Sequence, residues 1–379
     1  LAGPAAALAL ADLGAEVIKI EPPGTGDETR SFPPIRDGES HYFLSVNRGK
    51  KSIVVDLKSS EGVQIARDLA ARSDILLENY RPGVMERLGL GYDALAAINP
   101  RLIYCAISGF GQTGPLRDRP SFDIVLQAMS GALSVNGEAG GAPQKLGLPL
   151  GDLVGGINGP IGVLAALYER TITGRGRFID VSLMDGLVGM LGYLAQLAFF
   201  TGVDPKPQGS QHPNLVPYGV YPAKDGSIVV ACLTNAFWER VAKAIEAPEA
   251  ATDPRYDTIE KRRDRRDEVD ALVSAFTRAR TVAELAAIFE RHEVPHAPIL
   301  GVIEALSQPQ TAARGMVARV DHATLGPIPI VNRSIRYDAA QPAPAAPPTL
   351  GQHTDEVLSA LLGLDPARIA QLRKDGVVA

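Results

Sequence analysis

Residues 146–187 read LGLPLGDLVGGINGPIGVLAALYERTITGRGRFIDVSLMDGL and predict a long, glycine-rich helix followed by a short strand. The helix should end at the Thr-Gly-Arg-Gly stretch 173–176, and the strand should span Phe178 to Val181. Asp152 follows Gly151 at the start of the helix, where free backbone N–H groups and the helix dipole stabilise an ionised carboxylate. Such a carboxylate can attack an acyl carbon and form a covalent intermediate. Taken alone, the position is more typical of a helix cap.

The chain before this stretch alternates between strands and helices. The pattern predicts helices over 4–13, 60–71 and 83–88, and strands over 15–20, 51–57, 74–78 and 102–107. This alternation indicates an α/β domain with a mostly parallel sheet. Because residues 2–16 already resemble the middle of a structural element, we expect a short strand to precede Leu1.

The composition changes after residue 200. Four prolines between 205 and 217 mark a linker, and a strand pair over 219–231 follows. Helices are predicted over 237–245, 256–280 and 284–293. A proline-rich connector over 341–349 leads to two helices over 354–362 and 366–374. We therefore divide the chain into a large domain over 1–200, for which the resemblance described below implies CoA binding, a small domain with its linker over 201–325, and a C-terminal return to the large domain over 326–379.

Bulk composition excludes several classes of protein. The 38 basic and 43 acidic residues are well mixed and give a net charge of −5, which favours neither nucleic acid nor an anionic membrane as partner. Cys105 and Cys232 have no metal or redox spacing, so a reducing cytoplasm is expected. The apolar run 183–200 is interrupted by Asp185 and glycines, and it indicates a buried core helix rather than a membrane span.

Two short motifs are misleading. Residues 109–114 match G-x-G-x-x-G, but prolines and arginines follow where a dinucleotide site needs a helix to begin at once. His292 and His296 match H-E-x-x-H, but Pro295 should end the helix that a zinc site requires. We predict neither a nicotinamide site nor a metal site.

Several segments distributed along the chain carry a resemblance to one family. They are Ala2-Gly3-Pro4, residues 10–21 (LADLGAEVIKIE), 47–52 (NRGKKS), 78–83 (ENYRPG), 108–112 (SGFGQ), the Asp152 segment, 173–177 (TGRGR) and 351–354 (GQHT). Together, and in this order, they resemble the class III CoA-transferases of the formyl-CoA transferase and α-methylacyl-CoA racemase superfamily. The similarity is greatest to the succinyl-CoA-dependent dicarboxylate CoA-transferases.

The resemblance implies a fold, an assembly and a chemistry. The fold would be a Rossmann-like large domain with a smaller inserted α+β domain, in an interlocked homodimer. Asp152 would be the nucleophile, forming first an aspartyl anhydride with the donor's acyl group and then an aspartyl-CoA thioester. CoA would be a co-substrate, with no permanently bound cofactor.

The resemblance also implies binding residues. Asn79, Tyr80 and Arg81 occupy the loop that contacts the nucleotide part of CoA, and Arg87 corresponds to a basic position near its phosphates. Loops after parallel strands commonly bind ligands. Gly109 and Gly111 can let a backbone approach substrate closely, and His212 can pair with an acceptor carboxylate. A surface charge or a structural loop histidine is the alternative at each of these polar positions.

Departures from the family pattern bear on the reaction. The racemases carry a histidine just before Asp123, where this chain has Phe122, and a glutamate near Thr234 or Asn235. Because a phenyl ring cannot move a proton, transfer is favoured over racemisation. The tetraglycine loop of formyl-CoA transferases has no counterpart over 207–220, which disfavours oxalate and formyl-CoA. A catalytically silent CoA-binding subunit remains a further alternative, although such a module has no need of a reactive carboxylate.

Overall fold

The computed structural model describes residues 1–337 and 343–379. The chain forms two compact units. Unit 1 contains residues 1–133, 145–203 and 309–379, and unit 2 contains residues 134–144 and 204–308.

Helices and strands alternate through most of unit 1. Its first part contains, in chain order, α1 (Ala2–Asp12), β1 (Val17–Glu21), a 3-10 helix (Glu28–Ser31), β2 (Ile35–Arg36), β3 (Glu39–Ser40), α2 (His41–Val46), β4 (Lys50–Val54), α3 (Ser60–Arg72), β5 (Ile75–Glu78), α4 (Val84–Arg87), α5 (Tyr92–Ala96), β6 (Ile103–Ser108) and α6 (Asp123–Met129). Its second part contains α7 (Leu150–Thr173), β7 (Phe178–Ser182), α8 (Leu183–Met190) and α9 (Tyr193–Thr201). Unit 2 contains β8 (Tyr218–Pro222), β9 (Ser227–Ala231), α10 (Asn235–Ala244), a 3-10 helix (Pro248–Ala251), α11 (Ile259–Asp264), α12 (Arg266–Arg278), α13 (Val282–Arg291), β10 (His296–Pro298) and α14 (Val302–Ser307). Unit 1 closes with α15 (Pro309–Ala313), β11 (Val317–His322), β12 (Gly326–Val331), α16 (Thr354–Leu362) and α17 (Pro366–Lys374).

Parallel strand pairing organises unit 1. β1 pairs with β4, and β5, β6 and β7 form a second parallel sheet with β6 in the middle. Every residue of β6 is buried, as expected for a strand covered on both faces. The α/β class with parallel sheets is therefore confirmed. The carboxyl ends of β5, β6 and β7 meet at one edge of their sheet.

The glycines of α7 allow close packing between helices. A Cβ atom added to Gly156 would lie 2.9 Å from the Cβ of Ala5 on α1, and one added to Gly159 would lie 3.0 Å from Ile107. Small residues on both helices let their backbones approach closely. By length and composition alone α7 could also cross a membrane, as could α8 and α9 if they were taken as one bent span.

The C-terminal segment supports β4. The Ser52 N–H donates to His353 Nδ1 at 3.2 Å, and the Val54 N–H donates to Thr354 Oγ1 at 3.1 Å. Beyond the end of the strand, Val55 forms an isolated antiparallel bridge with Val378. The C-terminal segment therefore contacts the first sheet of unit 1.

Unit 2 has its own core and its own antiparallel sheet, ordered β10-β9-β8. Trp238 on α10 is buried, and the guanidinium of the buried Arg262 lies over its ring. That guanidinium donates to the carbonyls of Val216 and Tyr256 and to the side-chain oxygen of Asn235. Arg262 thus joins the chain before β8 to α10 and α11.

Several predicted elements differ from those observed. The run 183–200 is not one buried helix: α8 and α9 are bent by 70° at a short break, and no residue of α9 is buried. The segment 256–280 forms two helices that meet at Arg265. The hairpin of β11 and β12 was not predicted. Part of the predicted connector 341–349 lies outside the described residues.

Candidate active site

Asp152 lies in the first turn of α7, beside the start of α1. The backbone N–H of Ala2 lies close enough to its carboxylate to favour the ionised form. A Cβ atom added to Gly155, one turn further along α7, would collide with Leu183 and lie 3.4 Å from both Ala2 and Ile107. The first turn of α7 is therefore close to the carboxyl ends of β6 and β7.

Burial raises the pKa of the Asp152 carboxyl above its usual value, and the nearby negative charge of Asp123 raises it further. The positive charge of the Leu1 amino group opposes this shift, and the Ala2 N–H opposes it to a smaller extent. Tyr42 on α2 is close enough that the charges of Asp152 and Asp123 add to the effect of burial in raising the pKa of its phenol. The site thus combines a half-buried carboxylate of increased basicity with a neutral phenol.

Asp123, the first residue of α6, caps α7. Its Oδ1 accepts the N–H of Gly151 at 2.7 Å and, at 3.4 Å, that of Asp152. Its Oδ2 accepts a hydrogen bond from Gln127 at 2.6 Å. The free N–H groups expected to stabilise Asp152 are thus directed mainly at Asp123.

Asn79 follows β5 and joins three elements. Its Oδ1 accepts the N–H of Gly3 at 3.1 Å, and its Nδ2 donates to the carbonyl of Ile107 at 2.7 Å. A Cβ atom added to Gly3, the second residue of α1, would lie 2.7 Å from the Cβ of Asn79, so this close approach requires a glycine. The side chain of Asn79 places α1, and with it the Ala2 N–H, at the sheet edge.

The other predicted CoA-binding residues lie around the same sheet edge. Tyr80 and Arg81 follow β5 and are exposed, and Arg87 is an exposed residue at the end of α4. The guanidinium of Arg87 faces Gly83, whose added Cβ would lie 3.2 Å from Nη1. Within residues 1–337 and 343–379, neither Arg81 nor Arg87 forms an ion pair of 4 Å or less. Both charges are available to an anionic ligand.

Glu78, the last residue of β5, is a buried acid behind this loop. It accepts the N–H of Tyr80 at 2.7 Å. Burial raises the pKa of Glu78 to about 7, and the charge of Glu86 adds to the shift.

The loop after β6 contains Gly109 and Gly111. The Ser121 hydroxyl fills the space that a side chain at Gly109 would need, and Gly111 has a positive φ of 83°. The next amide, that of Gln112, donates to both carboxylate oxygens of Asp180. The next helix, α6, begins only at Asp123, so the loop lacks the helix that a dinucleotide site requires. Both glycines therefore serve close backbone packing at this edge.

His212 lies in unit 2, in the loop before β8. Its Nδ1 accepts the N–H groups of Asn214 and Leu215 at 3.0 and 3.1 Å, which leaves the proton on Nε2. Burial lowers the pKa of the imidazole, and the charge of Arg266 lowers it further. His212 is therefore a neutral ring with a defined tautomer.

The two histidines of the H-E-x-x-H motif do not share a helix, because the helix ends before Pro295 as the sequence indicated. α13 ends at Arg291, His292 follows it, and His296 pairs with Val230 in the antiparallel sheet. Across the described part of the chain, no group of three His, Cys, Asp or Glu residues is arranged to hold a metal ion. Cys105 and Cys232 are buried and free.

Sequence reasoning missed Tyr42, Gln127 and the Ala2 N–H. Gln127 carries a recognisable signal, because it follows Asp123 by four residues on a helix. Tyr42 belongs to none of the segments that carry the resemblance, and only the fold brings it near Asp152.

Comparison with known proteins identifies the family. The pattern described as CoA-transferase family III matches residues 1–354. Succinyl-CoA:glutarate CoA-transferase from Mus musculus is 39% identical over 100% of this chain and 87% of its own length. Acetyl-CoA:oxalate CoA-transferase from Acetobacter aceti is 42% identical over 92% of this chain and 89% of its own length. The crystal structure of a CAIB/BAIF family protein from Brucella suis is 35% identical, covers 95% of this chain and 96% of that one, and superposes with a TM-score of 0.85.

Proposed function

The chain belongs to CoA-transferase family III and is a class III CoA-transferase, and on that premise we propose its nucleophile, donor and acceptor class. The nucleophile is Asp152, the donor is succinyl-CoA, and the acceptor is a small carboxylic or dicarboxylic acid. CoA thioesters are the co-substrates, and no permanently bound cofactor takes part. The observation that carries the proposal is a half-buried carboxylate of raised pKa in the first turn of α7, which packs against Ala2, Ile107 and Leu183 at the edge of a parallel sheet.

The proposed reaction proceeds through three covalent species on Asp152, namely an anhydride with the donor acid, a thioester with CoA and an anhydride with the acceptor acid. Its carboxylate oxygen attacks the donor thioester carbon, the carbon–sulfur bond breaks, and CoA leaves as the thiolate from a mixed anhydride. The thiolate attacks the aspartyl carbon and expels the donor acid, which gives an aspartyl-CoA thioester. The acceptor carboxylate then attacks this thioester, and the returning thiolate takes the acceptor's acyl group. Asp152 is regenerated with no net proton transfer.

Each attack on the aspartyl carbon develops negative charge on its former carbonyl oxygen. The Ala2 N–H lies near the carboxylate and favours its ionised form, so it can stabilise that charge as it develops. Exclusion of water protects the anhydride from hydrolysis. The Asp152 carboxyl is half-buried, and its raised pKa increases the basicity of the attacking oxygen.

The names of two relatives and the tautomer of one histidine bear on the choice of acceptor acid. The mouse relative is named for succinyl-CoA and glutarate, whereas the Acetobacter relative is named for acetyl-CoA and oxalate. Oxalate therefore belongs in any acceptor screen, despite the absence of a tetraglycine loop. We propose that the Nε2–H of His212 binds the acceptor carboxylate. Asn79, Tyr80, Arg81 and Arg87 are proposed for the nucleotide part of CoA, with Gly109 and Gly111 near the acyl group.

An exposed apolar stripe on α7 supports a homodimer. The stripe consists of Leu153, Ile157, Ile161, Leu164, Tyr168 and Ile172. The exposed fraction reaches 74% at Ile172, and contiguous apolar surface of this kind marks interaction sites. We propose a cytoplasmic, interlocked homodimer with no membrane or nucleic-acid partner. Its large domain is formed by residues 1–200 and 326–379, and its inserted small domain by 201–325.

Trapping the acyl-enzyme tests the nucleophile. The protein is incubated with succinyl-CoA, quenched with hydroxylamine and mapped by mass spectrometry, and a hydroxamate is expected on Asp152. Asp152→Asn should lower the transfer rate by at least about 10³-fold and still bind CoA. Asp185→Asn, at the start of α8, is the matched control and should retain the rate. A wild-type enzyme that transfers CoA without labelling Asp152 would reject this nucleophile.

A conservative variant tests His212. In His212→Asn the side-chain oxygen can still accept the local backbone N–H groups, but the Nε2–H is lost. We expect the KM for the acceptor acid to rise about tenfold, with the KM for succinyl-CoA unchanged. Equal changes in both constants would show that His212 acts on the loop structure rather than on the acceptor.

A further inference from the structure

Gln127 is a fully buried amide on α6 whose two ends bind different parts of the chain. Its Nε2 donates to Asp123 Oδ2 at 2.6 Å, and its Oε1 accepts the N–H of Leu146 at 3.1 Å. Leu146 belongs to the segment that leads into α7. One side chain thus holds both the capping carboxylate of α7 and the approach to that helix.

The bond from Gln127 orients Asp123. With Oδ2 held by the amide, Oδ1 points at the first N–H groups of α7, those of Gly151 and Asp152. A Cβ atom added to Gly151 would lie only 3.0 Å from Oδ1, so the fit depends on glycine at that position. Since Asp123 takes these donors, the groups of α1 that favour the Asp152 anion are the Leu1 amino group and the Ala2 N–H.

We propose that Gln127 is a positioning residue for the nucleophile: through Asp123 and Leu146 it sets the place of the first turn of α7 and keeps that turn's N–H groups away from the Asp152 carboxylate. The inference rests on the proposed role of Asp152. The energetic reason is that small displacements of a reacting group are costly, since an error of about 1 Å can lower a rate by about 10²-fold. A carboxylate bound by its own helix terminus would also be less basic.

The chain offers a matched control for this pair. Gln64 donates to Asp68 at 2.8 Å with the same four-residue spacing, but this pair is solvent-exposed on α3. Gln127→Ala is expected to lower kcat about 10- to 100-fold with little change in either KM, whereas Gln64→Ala should retain wild-type constants. Loss of packing alone would instead reduce CoA binding together with kcat.

Gln127→Glu separates positioning from packing, because it keeps the size of the side chain and an acceptor for Leu146. When ionised, the new carboxylate repels Asp123; when protonated, its O–H can donate to Asp123 as the amide does. The charged or titratable groups near Asp152 on the neighbouring elements are the amino group of Leu1, Asp123 and Tyr42. We expect the optimum of kcat in Gln127→Glu to move to lower pH than in the wild type. An unshifted pH profile would overturn the proposed donor role.

Amide hydrogen exchange of the peptide 147–153 supplies a readout that needs no substrate. The Gly151 amide should exchange at least about tenfold faster in Gln127→Ala and at the wild-type rate in Gln64→Ala. Wild-type exchange or wild-type kcat in Gln127→Ala would overturn the inference alone. A wild-type enzyme that forms no hydroxamate on Asp152 would overturn the proposed function first, so the two failures are distinguishable.

Discussion

At Asp152, opposing influences act on one carboxylate. A position in the first turn of a long helix normally favours the anion and lowers the pKa. Here burial and the charge of Asp123 raise the pKa, and Asp123 occupies the donors at the helix start. The carboxylate is consequently more basic than its position in sequence suggests. A more basic carboxylate oxygen is a better nucleophile toward a thioester.

The raised pKa of the buried Glu78 carboxyl predicts that the stability of the protein depends on pH. Because its pKa is raised to about 7 in the folded chain, the protein loses stability as the pH rises from about 4.5 through 7, where Glu78 must ionise in a buried place. Glu78→Gln removes that ionisation and can still accept the N–H of Tyr80. At pH 8 the variant should exceed the wild type in free energy of unfolding by about 2 kcal/mol.

Denaturant unfolding at pH 5 and pH 8 checks this expectation for Glu78. The difference between variant and wild type should be small at pH 5 and grow toward pH 8. Glu239→Gln, which alters an exposed carboxylate on α10 of unit 2, is the control and should show no such dependence on pH. A difference that does not change with pH would mean that Glu78 keeps an ordinary pKa in the fold.

Single residues also show where sequence reasoning stops. The sequence indicated that Asp152 lies at the start of a helix, because a glycine, an acidic residue and the apolar run that follows them are signals local to the chain. Asn79 is predicted to contact CoA, and its amide also joins Gly3 to Ile107. Nothing local to residue 79 reveals those partners, since they come from other elements. The placement of Tyr42 beside Asp152 is equally non-local.

At the scale of elements, the contact between α1 and α7 determines where the Ala2 N–H lies. Gly156→Ala places a methyl group 2.9 Å from the Cβ of Ala5, an atom attached directly to the backbone of α1. We expect a loss of about 1–3 kcal/mol in the free energy of unfolding, together with reduced transfer because α1 must shift. Thermal unfolding and the succinyl-CoA assay measure both effects.

The control for Gly156 is Gly189→Ala on α8. Among the residues that the structure describes, and apart from the chain neighbours and the backbone of α8 itself, no heavy atom lies within 4 Å of its added Cβ, so the better helix propensity of alanine should leave stability unchanged or raised by up to about 1 kcal/mol. If both variants behave alike, packing against α1 is not what requires glycine at 156.

Elements with strong local signals were predicted well. The last two helices, Thr354–Leu362 and Pro366–Lys374, have the predicted bounds. A glycine directly follows the first of them, and a proline begins the second. β12 was missed because its sequence GPIPIV contains two prolines; a two-stranded hairpin has only edge strands, which tolerate proline. The break between α8 and α9 was missed because Gly192, with positive φ, looked like one more glycine in an apolar run.

At the scale of the whole molecule, the exposed stripe of α7 predicts self-association. Ile161→Glu puts a charge in its middle, where Ile161 is 60% exposed. Because burying an unpaired charge is costly, the variant should be monomeric at concentrations where the wild type is a dimer. Sedimentation velocity distinguishes the two states.

Ile98→Glu controls for the effect of a new surface charge, since Ile98 is 44% exposed and lies after α5, outside the stripe. It should sediment as the wild type does. A wild-type chain that sediments as a monomer, or an Ile161→Glu variant that remains a dimer, would contradict this assignment of the interface.

The return of the C-terminal segment to β4 has a consequence for biosynthesis. The Ser52 N–H bonds to His353, 301 residues further along the chain, so the ribosome makes the strand long before its partner. At about 5–20 residues per second, that interval lasts roughly 15–60 seconds. During translation the strand's backbone groups lack these partners, and unpaired strand edges are prone to aggregation. Nascent chains of this protein should therefore depend on chaperones until the segment that carries His353 and Thr354 emerges.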